Sequence, residues 1–225
     1  MSNPHDALFR RAFSNRENAV GELRCALPPD LLEHLDLESL EIVDGTFTDQ
    51  DLAQRYTDQL YLVPIDGGTG FVYVLFEHQS STDPLMPFRL LSYMVRIWEK
   101  FLTKNKSARS LPPIVPLVLS HDDGSWRASR DMHGLFPDEL IARPDFARST
   151  PQFSYFIDDL SKVSTEELKA RRLSAYARVV LWALRDGRSE QLLQTASCSK
   201  FRPAKSRTPV VARPEPANNT SGHTR

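Results

Sequence analysis

Asp58, Glu77 and Gln79 are the residues whose types and spacing could do chemistry. Asp58 lies in RYTDQLYLV (55–63) and the other two in FVYVLFEHQ (71–79), both β-branched and aromatic runs that read as strands. The linking PIDGGTG contains Gly67-Gly68, a pair able to adopt the positive φ angles of a tight hairpin turn. A loop of two or four residues symmetric about that pair sets Asp58 directly opposite Glu77. Directly opposed residues have Cβ atoms roughly 4.5–5.5 Å apart, and like charges there repel unless something neutralises them. A divalent cation would do so. Alternation along the strand puts Gln79 on the face of Glu77, and Val72, Val74 and Phe76 on the other. An odd-length loop would instead bring Phe76 or His78 opposite Asp58, and a pair of solvent-facing strand carboxylates would produce the same spacing with no chemistry at all.

Two carboxylates and a backbone carbonyl are hard oxygen donors of the kind that hold Mg²⁺ or Mn²⁺ while leaving room for water and a substrate phosphate. An ion so held can polarise a phosphoryl group and acidify a bound water, which suits phosphodiester hydrolysis.

The elements that must position this hairpin can be read on either side of it. Residues 5–13 and 16–26 are helical, with Ser14 and Asn15 as a cap-like break and Pro28-Pro29 as a stop. Ile42–Phe47 reads as a short strand. After the hairpin, Asp83 followed by Pro84 suggests a helix start, and Met86, Leu90, Met94, Ile97, Trp98 and Phe101 recur at helical spacing. LPPIVPLVLS (111–120) reads as a buried strand, in which Pro116 either limits the pairing or pushes the strand toward an edge. Ser164 and Glu167 form a capping box, and Leu168, Leu173, Tyr176, Val180, Leu181 and Leu184 continue helically to Gly187. The order helix, strands, helix, strand, helix defines a mixed α/β class.

Composition bounds the partners. Of 225 residues 40% are hydrophobic and 25% charged, ordinary for a soluble domain. No stretch has the length of a membrane span and no secretory leader is evident, so a cytoplasmic protein is expected. Cys25 and Cys198 lack any metal-binding or disulfide spacing. The net charge of -1 divides unevenly: residues 197–225 hold six Lys/Arg against Glu215 alone, which leaves the body clearly acidic. An acidic body repels phosphate backbones, so DNA contact must come from a local patch and be steeply salt-dependent. Residues 89–109 supply the best such patch, with six basic residues against Glu99. Within it Arg89, Tyr93, Arg96 and Lys100 form one stripe at helical spacing, which a solvated helix face explains equally well.

YTDQLYLV, VYVLFEHQSSTDPLMPFRLLSYMVRIW and LPPIVPLVL occur in the order seen in the recombination-promoting nuclease family, also described as transposase-like or YhgA-like. HDALFRRAF and LPPDLLEHLD fit the same pattern, so the chain resembles that family over roughly residues 4–190. The resemblance implies a PD-(D/E)XK restriction-endonuclease-like core, a central mixed sheet flanked by helices. It implies a Mg²⁺- or Mn²⁺-dependent DNA endonuclease that promotes recombination. Asp58 and Glu77 would be its catalytic metal ligands together with the backbone carbonyl of His78, and Gln79 would stand where lysine is usual. Glutamine can hydrogen-bond a water or a phosphate oxygen but brings no charge, so slow turnover is expected.

DNA is then the expected partner, with Arg89, Arg96 and Lys100 as phosphate contacts and no role for a membrane, while the sequence leaves open whether the chain forms a homo-oligomer. Residues 1–196 are expected to form the nuclease-like domain. Residues 197–225 are expected to form a disordered Pro/Ser/Arg-rich tail, because so little apolar surface cannot offset the entropy of ordering. The family pattern dissolves after about Leu193, which suggests C-terminal truncation. The competing expectation is a catalytically inactive DNA- or protein-binding remnant of a transposase-like nuclease. His5-Asp6 lacks the further histidines of a metal phosphohydrolase. His78, His121 and His133 suit surface positions, and Trp98 and Trp182 suit the core.

Overall fold

The computed structural model describes residues 4–43, 57–77, 83–121 and 126–186. Their helices include α1 (Pro4–Phe13) and α2 (Arg16–Ala26), separated where Asn15 caps α2 by accepting from the Asn18 N–H at 3.1 Å. Five strands follow in chain order: β1 (Glu41–Val43), β2 (Thr57–Ile65), β3 (Gly68–Glu77), β4 (Ile114–Ser120) and β5 (Phe156–Asp159). They form one mixed sheet in the order β1-β2-β3-β4-β5. The first three strands pair antiparallel, and β3, β4 and β5 run parallel. The long helix α3 (Met86–Lys104) makes the crossover from β3 to β4 that parallel pairing demands. The α/β class is as expected, and the short strand β5 has no counterpart in the sequence reading.

Strand alternation divides the core in two. Tyr61, Val63, Val72, Val74, Leu117 and Leu119 pack on one face against Phe9, Phe13, Leu23 and the C-terminal helices. Leu60, Phe71, Tyr73 and Val118 pack on the other face against Met86, Leu90, Tyr93 and Ile97 of α3. Each such fully buried side chain contributes roughly 1.5–3 kcal/mol relative to leaving it in water. Four of the expected α3 core residues are buried, whereas Trp98 is half-buried and donates its indole N–H to the Pro112 carbonyl at 2.8 Å. The α3 start differs slightly from expectation: Asp83 accepts from the Leu85 N–H at 2.9 Å in a turn preceding the helix, which opens at Met86-Pro87. Pro116 is not on an edge strand. β5 first pairs with β4 at Leu117, one residue past the proline, so the missing N–H disrupts no β4–β5 pair in that register.

The C-terminal helical pattern is broken into α4 (Thr165–Ala170), carrying the expected Ser164/Glu167 capping box, and α5 (Ala175–Asp186). The cause is a buried charge cluster at Arg171. Its guanidinium meets Glu22 at 2.7 Å and grips both oxygens of Asp158 at 2.6 and 2.9 Å. Beside it, Asn18 accepts from the Ser174 N–H at 2.9 Å, satisfying backbone that a continuous helix would have paired internally. Gly21 permits this approach, since a Cβ there would lie 2.1 Å from the Arg172 carbonyl oxygen. Trp182 is 38% exposed and not a core residue.

Two carboxylates share one guanidinium in this cluster, so one negative charge is in excess. Burial, followed by the Asp158 charge, pushes Glu22 well above the ordinary carboxylate range despite Arg171. Burial acts on Asp158 in the same upward sense, but its hydrogen bonds with Arg171 outweigh it and hold that carboxyl low. The folded state therefore favours protonated Glu22. Its contribution to stability is complete below the ordinary carboxylate range and is lost as pH rises through the raised value. Urea unfolding at stepped pH should show stability falling from mildly acid to mildly alkaline conditions, with Glu22→Gln flattening the slope. Arg171→Met should cost about 3–5 kcal/mol in the same assay, because it leaves the buried carboxyls of Asp158 and Glu22 without their cation.

Candidate active site

The turn that closes the hairpin is Asp66-Gly67, with φ of 48° and 77°. Positive φ at both central residues is the two-residue geometry that Asp-Gly favours, and it makes Ile65 and Gly68 the closing pair. Asp66 is also held from outside the hairpin: its N–H donates to the His34 carbonyl at 3.1 Å, and its carboxylate meets His34 Nδ1 at 2.9 Å. The register follows from this turn and corrects the expected one. Asp58 pairs with Leu75, not with Glu77. Glu77 lies two residues further along β3, so alternation still assigns Asp58, Leu75 and Glu77 to one face, with the two carboxylate positions now diagonal neighbours. The Asp-Gly dipeptide was the signal for this turn, and the adjacent Gly67-Gly68 obscured it.

That face is the one covered by α3, since Leu60, Phe71 and Tyr73 have the same parity. Asp58 is the second residue of β2 and Glu77 the last of β3. Ser120, paired in register with Glu77, and Asp159, paired with Ser120, end β4 and β5. Four polar positions therefore share the edge where the parallel strands end, the place where open α/β sheets present ligand sites. His121 follows immediately and is only 3% exposed, so it belongs to the interior and not to the surface. His133 is half-buried, with Nε2 3.1 Å from the Thr150 hydroxyl.

Hard carboxylate oxygens at two neighbouring positions, with the remaining coordination left to water, fit Mg²⁺ or Mn²⁺ by donor chemistry. Among the described residues no group of three or more His, Cys, Asp or Glu is placed to hold a metal ion. His78 and Gln79 lie outside the described residues, as does the tail at 197–225.

The basic stripe on α3 is resolved into unlike parts. Tyr93 is buried against Tyr73, with ring centroids 5.4 Å apart, so the stripe is not a solvated helix face throughout. The Arg89 side chain is 10% exposed and 3.7 Å from Asp83, at the helix end next to the carboxylate edge. Arg96 and Lys100 are half-buried and lie progressively further from that edge, Lys100 about 16 Å along the helix from Arg89. Among the described residues no helix is long and apolar enough to cross a membrane.

An α/β sheet with carboxylate positions at the ends of its parallel strands, one strand joined to the next by a long helix, defines the class of protein. Residues 3–201 match the family described as "Putative transposase, YhgA-like", and the chain belongs to that family, the recombination-promoting nucleases. It is 32% identical over 179 residues to Recombination-promoting nuclease RpnD of Escherichia coli O157:H7, covering 80% of this chain and 67% of that protein. Against Recombination-promoting nuclease RpnA of Escherichia coli K12 the identity is 27%, over 88% of this chain and 65% of the relative. Inactive recombination-promoting nuclease-like protein RpnE of the same strain is 28% identical, over 82% of this chain and 60% of its own length. The chain thus spans about two thirds of the length of the curated relatives it matches. No solved structure matches it.

The register is open to a direct chemical check. Paired Cα positions suit a disulfide, whereas a diagonal pair roughly 7–8 Å apart exceeds its usual span. With Cys25 and Cys198 replaced by serine, oxidation should cross-link Asp58→Cys/Leu75→Cys readily and Asp58→Cys/Glu77→Cys poorly, as read by gel mobility without reductant. The reverse order would restore direct opposition of the two carboxylates.

Proposed function

We propose that this chain is a divalent-metal-dependent DNA endonuclease with a PD-(D/E)XK-like core, acting in DNA recombination or on mobile elements in the cytoplasm. The observation that carries the reading is the common face and common sheet edge of Asp58 and Glu77, in a member of a family whose relatives are named recombination-promoting nucleases. The antiparallel β1-β2-β3 meander followed by a helical crossover to parallel β4 is consistent with that core.

Asp58, Glu77 and the His78 carbonyl would hold Mg²⁺ or Mn²⁺. When bound, the ion supplies a Lewis acid that polarises the scissile phosphate and lowers the pKa of a water. The protein's own residues do the rest. Gln79 orients the attacking water or a phosphate oxygen through its amide. Arg89, Arg96 and Lys100 contact backbone phosphates, a local cationic strip that offsets the acidic body. The water oxygen forms a new P–O bond as the bond from phosphorus to the leaving sugar oxygen breaks. The water's proton passes to solvent, and the leaving oxygen takes one up.

A second reading has its own support. Two relatives are named as inactive, and Gln79 removes a fixed positive charge from the position where this family's resemblance leads one to expect lysine. Under that reading the chain binds DNA or protein without turnover.

Plasmid nicking by purified protein with Mg²⁺, Mn²⁺ or EDTA separates the two. Slow, metal-dependent nicking is expected, with Asp58→Ala and Glu77→Ala each reducing it at least about 100-fold, the scale for losing a group that stabilises transition-state charge. A folded wild-type protein that nicks with neither metal would establish the non-catalytic reading.

A further inference from the structure

We propose that the outer face of α3 is the contact surface of a homodimer, in which α3 of one chain packs antiparallel on α3 of a second copy. The inference goes beyond the nuclease reading and stands apart from it.

The helix carries two apolar patterns. Met86, Leu90, Tyr93, Met94 and Ile97 are buried with the sheet and account for one side. Phe88, Leu91, Val95, Trp98 and Leu102 follow one another at steps of three, four, three and four, so at about 100° per residue they form a second stripe on the side turned away from the sheet. That stripe is open to water: Phe88 is 56% exposed, Val95 41% and Leu102 42%, with Leu91 and Trp98 half-buried. The Trp98 bond to the Pro112 carbonyl brings the neighbouring Leu111, itself exposed, to the edge of the stripe. Apolar residues exposed singly are ordinary, but a continuous stripe marks a contact surface. A helix that is apolar on two sides is one with neighbours on both.

A second copy of the same helix fits this stripe. Steps of three and four are the spacing at which side chains of one helix enter the gaps of another, at a crossing angle near 20°. An antiparallel pair about a two-fold axis between Arg96 and Ile97 sets Val95 of each copy opposite Trp98 of the other, a small side chain against a large one, and Leu91 opposite Leu102. The charges agree with this arrangement. Such an axis brings the same edge of both helices to one side, the edge that carries Ser92, Arg96 and Glu99. Glu99 of each copy then comes within about 3 Å, measured along the axis, of the level of Arg96 of the other. A parallel pair would place the two edges on opposite sides and forgo that match. The exposed fractions leave on the order of 500 Å² of apolar side chain to cover per copy, about 1,000 Å² for the pair, which is the lower limit of a specific interface. The dimer is therefore reversible and concentration-dependent. It joins the basic strips of two chains on one side of an otherwise acidic body.

Sedimentation equilibrium of the full chain tests this. The mass should rise from that of one chain to that of two between about 1 and 100 μM. Val95→Glu sets a carboxylate against Trp98 of the second copy and should weaken association at least about 10-fold. It should melt as wild type does, because the site is exposed and glutamate is the better helix former. Val179→Glu, at an exposed apolar position of α5, should leave association unchanged. The orientation is read by oxidation with Cys25 and Cys198 replaced by serine. Leu91→Cys and Leu102→Cys should cross-link when the two variants are mixed, and neither should cross-link alone, since each lies about 16 Å along the axis from its own copy. The mass of one chain at every concentration overturns the proposal. So does a dimer that survives Val95→Glu, or one that Val179→Glu dissociates. Cross-linking of Leu91→Cys to itself, with none to Leu102→Cys, overturns the antiparallel contact.

Discussion

The hairpin turn at Asp66-Gly67 constrains everything that follows from the sheet. Side chains alternate with a period of two, so where the turn closes decides which face each residue of β2 and β3 occupies. Closure at Ile65–Gly68 sends Tyr61, Val63, Val72 and Val74 to the layer of α1 and α2, and Leu60, Phe71 and Tyr73 to α3. A slip of one residue would invert both cores at once. The turn is secured from outside, through His34, the Asp36 N–H on the Pro64 carbonyl at 2.9 Å, and the bridge between Leu35 and Ile65. The same constraint keeps Asp58 and Glu77 on a common face although they are not directly paired.

The Arg171 cluster plays a complementary part on the other side of the sheet. It joins α2, the end of β5 and the break between α4 and α5, elements distant in sequence. A buried ion pair is a poor source of net stability, because desolvating the charges offsets most of their attraction. Its consequence here is geometric. A guanidinium holding two carboxylates tolerates one arrangement of three backbone segments, and the helix is interrupted to achieve it. The cluster lies on the face opposite α3, so it holds β5 in the sheet without placing charge among the candidate metal ligands.

Electrostatics shape how such a protein could meet DNA. The acidic body gives no long-range attraction, so association would depend on the α3 strip and be sensitive to salt. Within the strip, burial differs from residue to residue. Arg96 and Lys100 are half-buried and keep contact with water, whereas the Arg89 side chain is largely withdrawn from it.

The sequence by itself determined the α/β class, the hairpin, the capped helix starts at Asn15 and Ser164, and the long helix over Met86–Lys104, because periodicity and capping are local and leave marks within a few residues. It also carried the family. Only the tertiary structure decided which residues of Asp-Gly-Gly make the turn, because overlapping turn dipeptides are chemically equivalent until neighbouring segments such as His34 select one. Likewise, no local pattern says that Arg171 interrupts a helix to reach Glu22, since that contact joins residues 149 apart in sequence. The burial of Arg89 and His121, residue types that read as surface, was equally hidden. Whether a polar side chain meets water or a sheet edge depends on how the layers pack, a property of the whole chain that spacing along it does not contain.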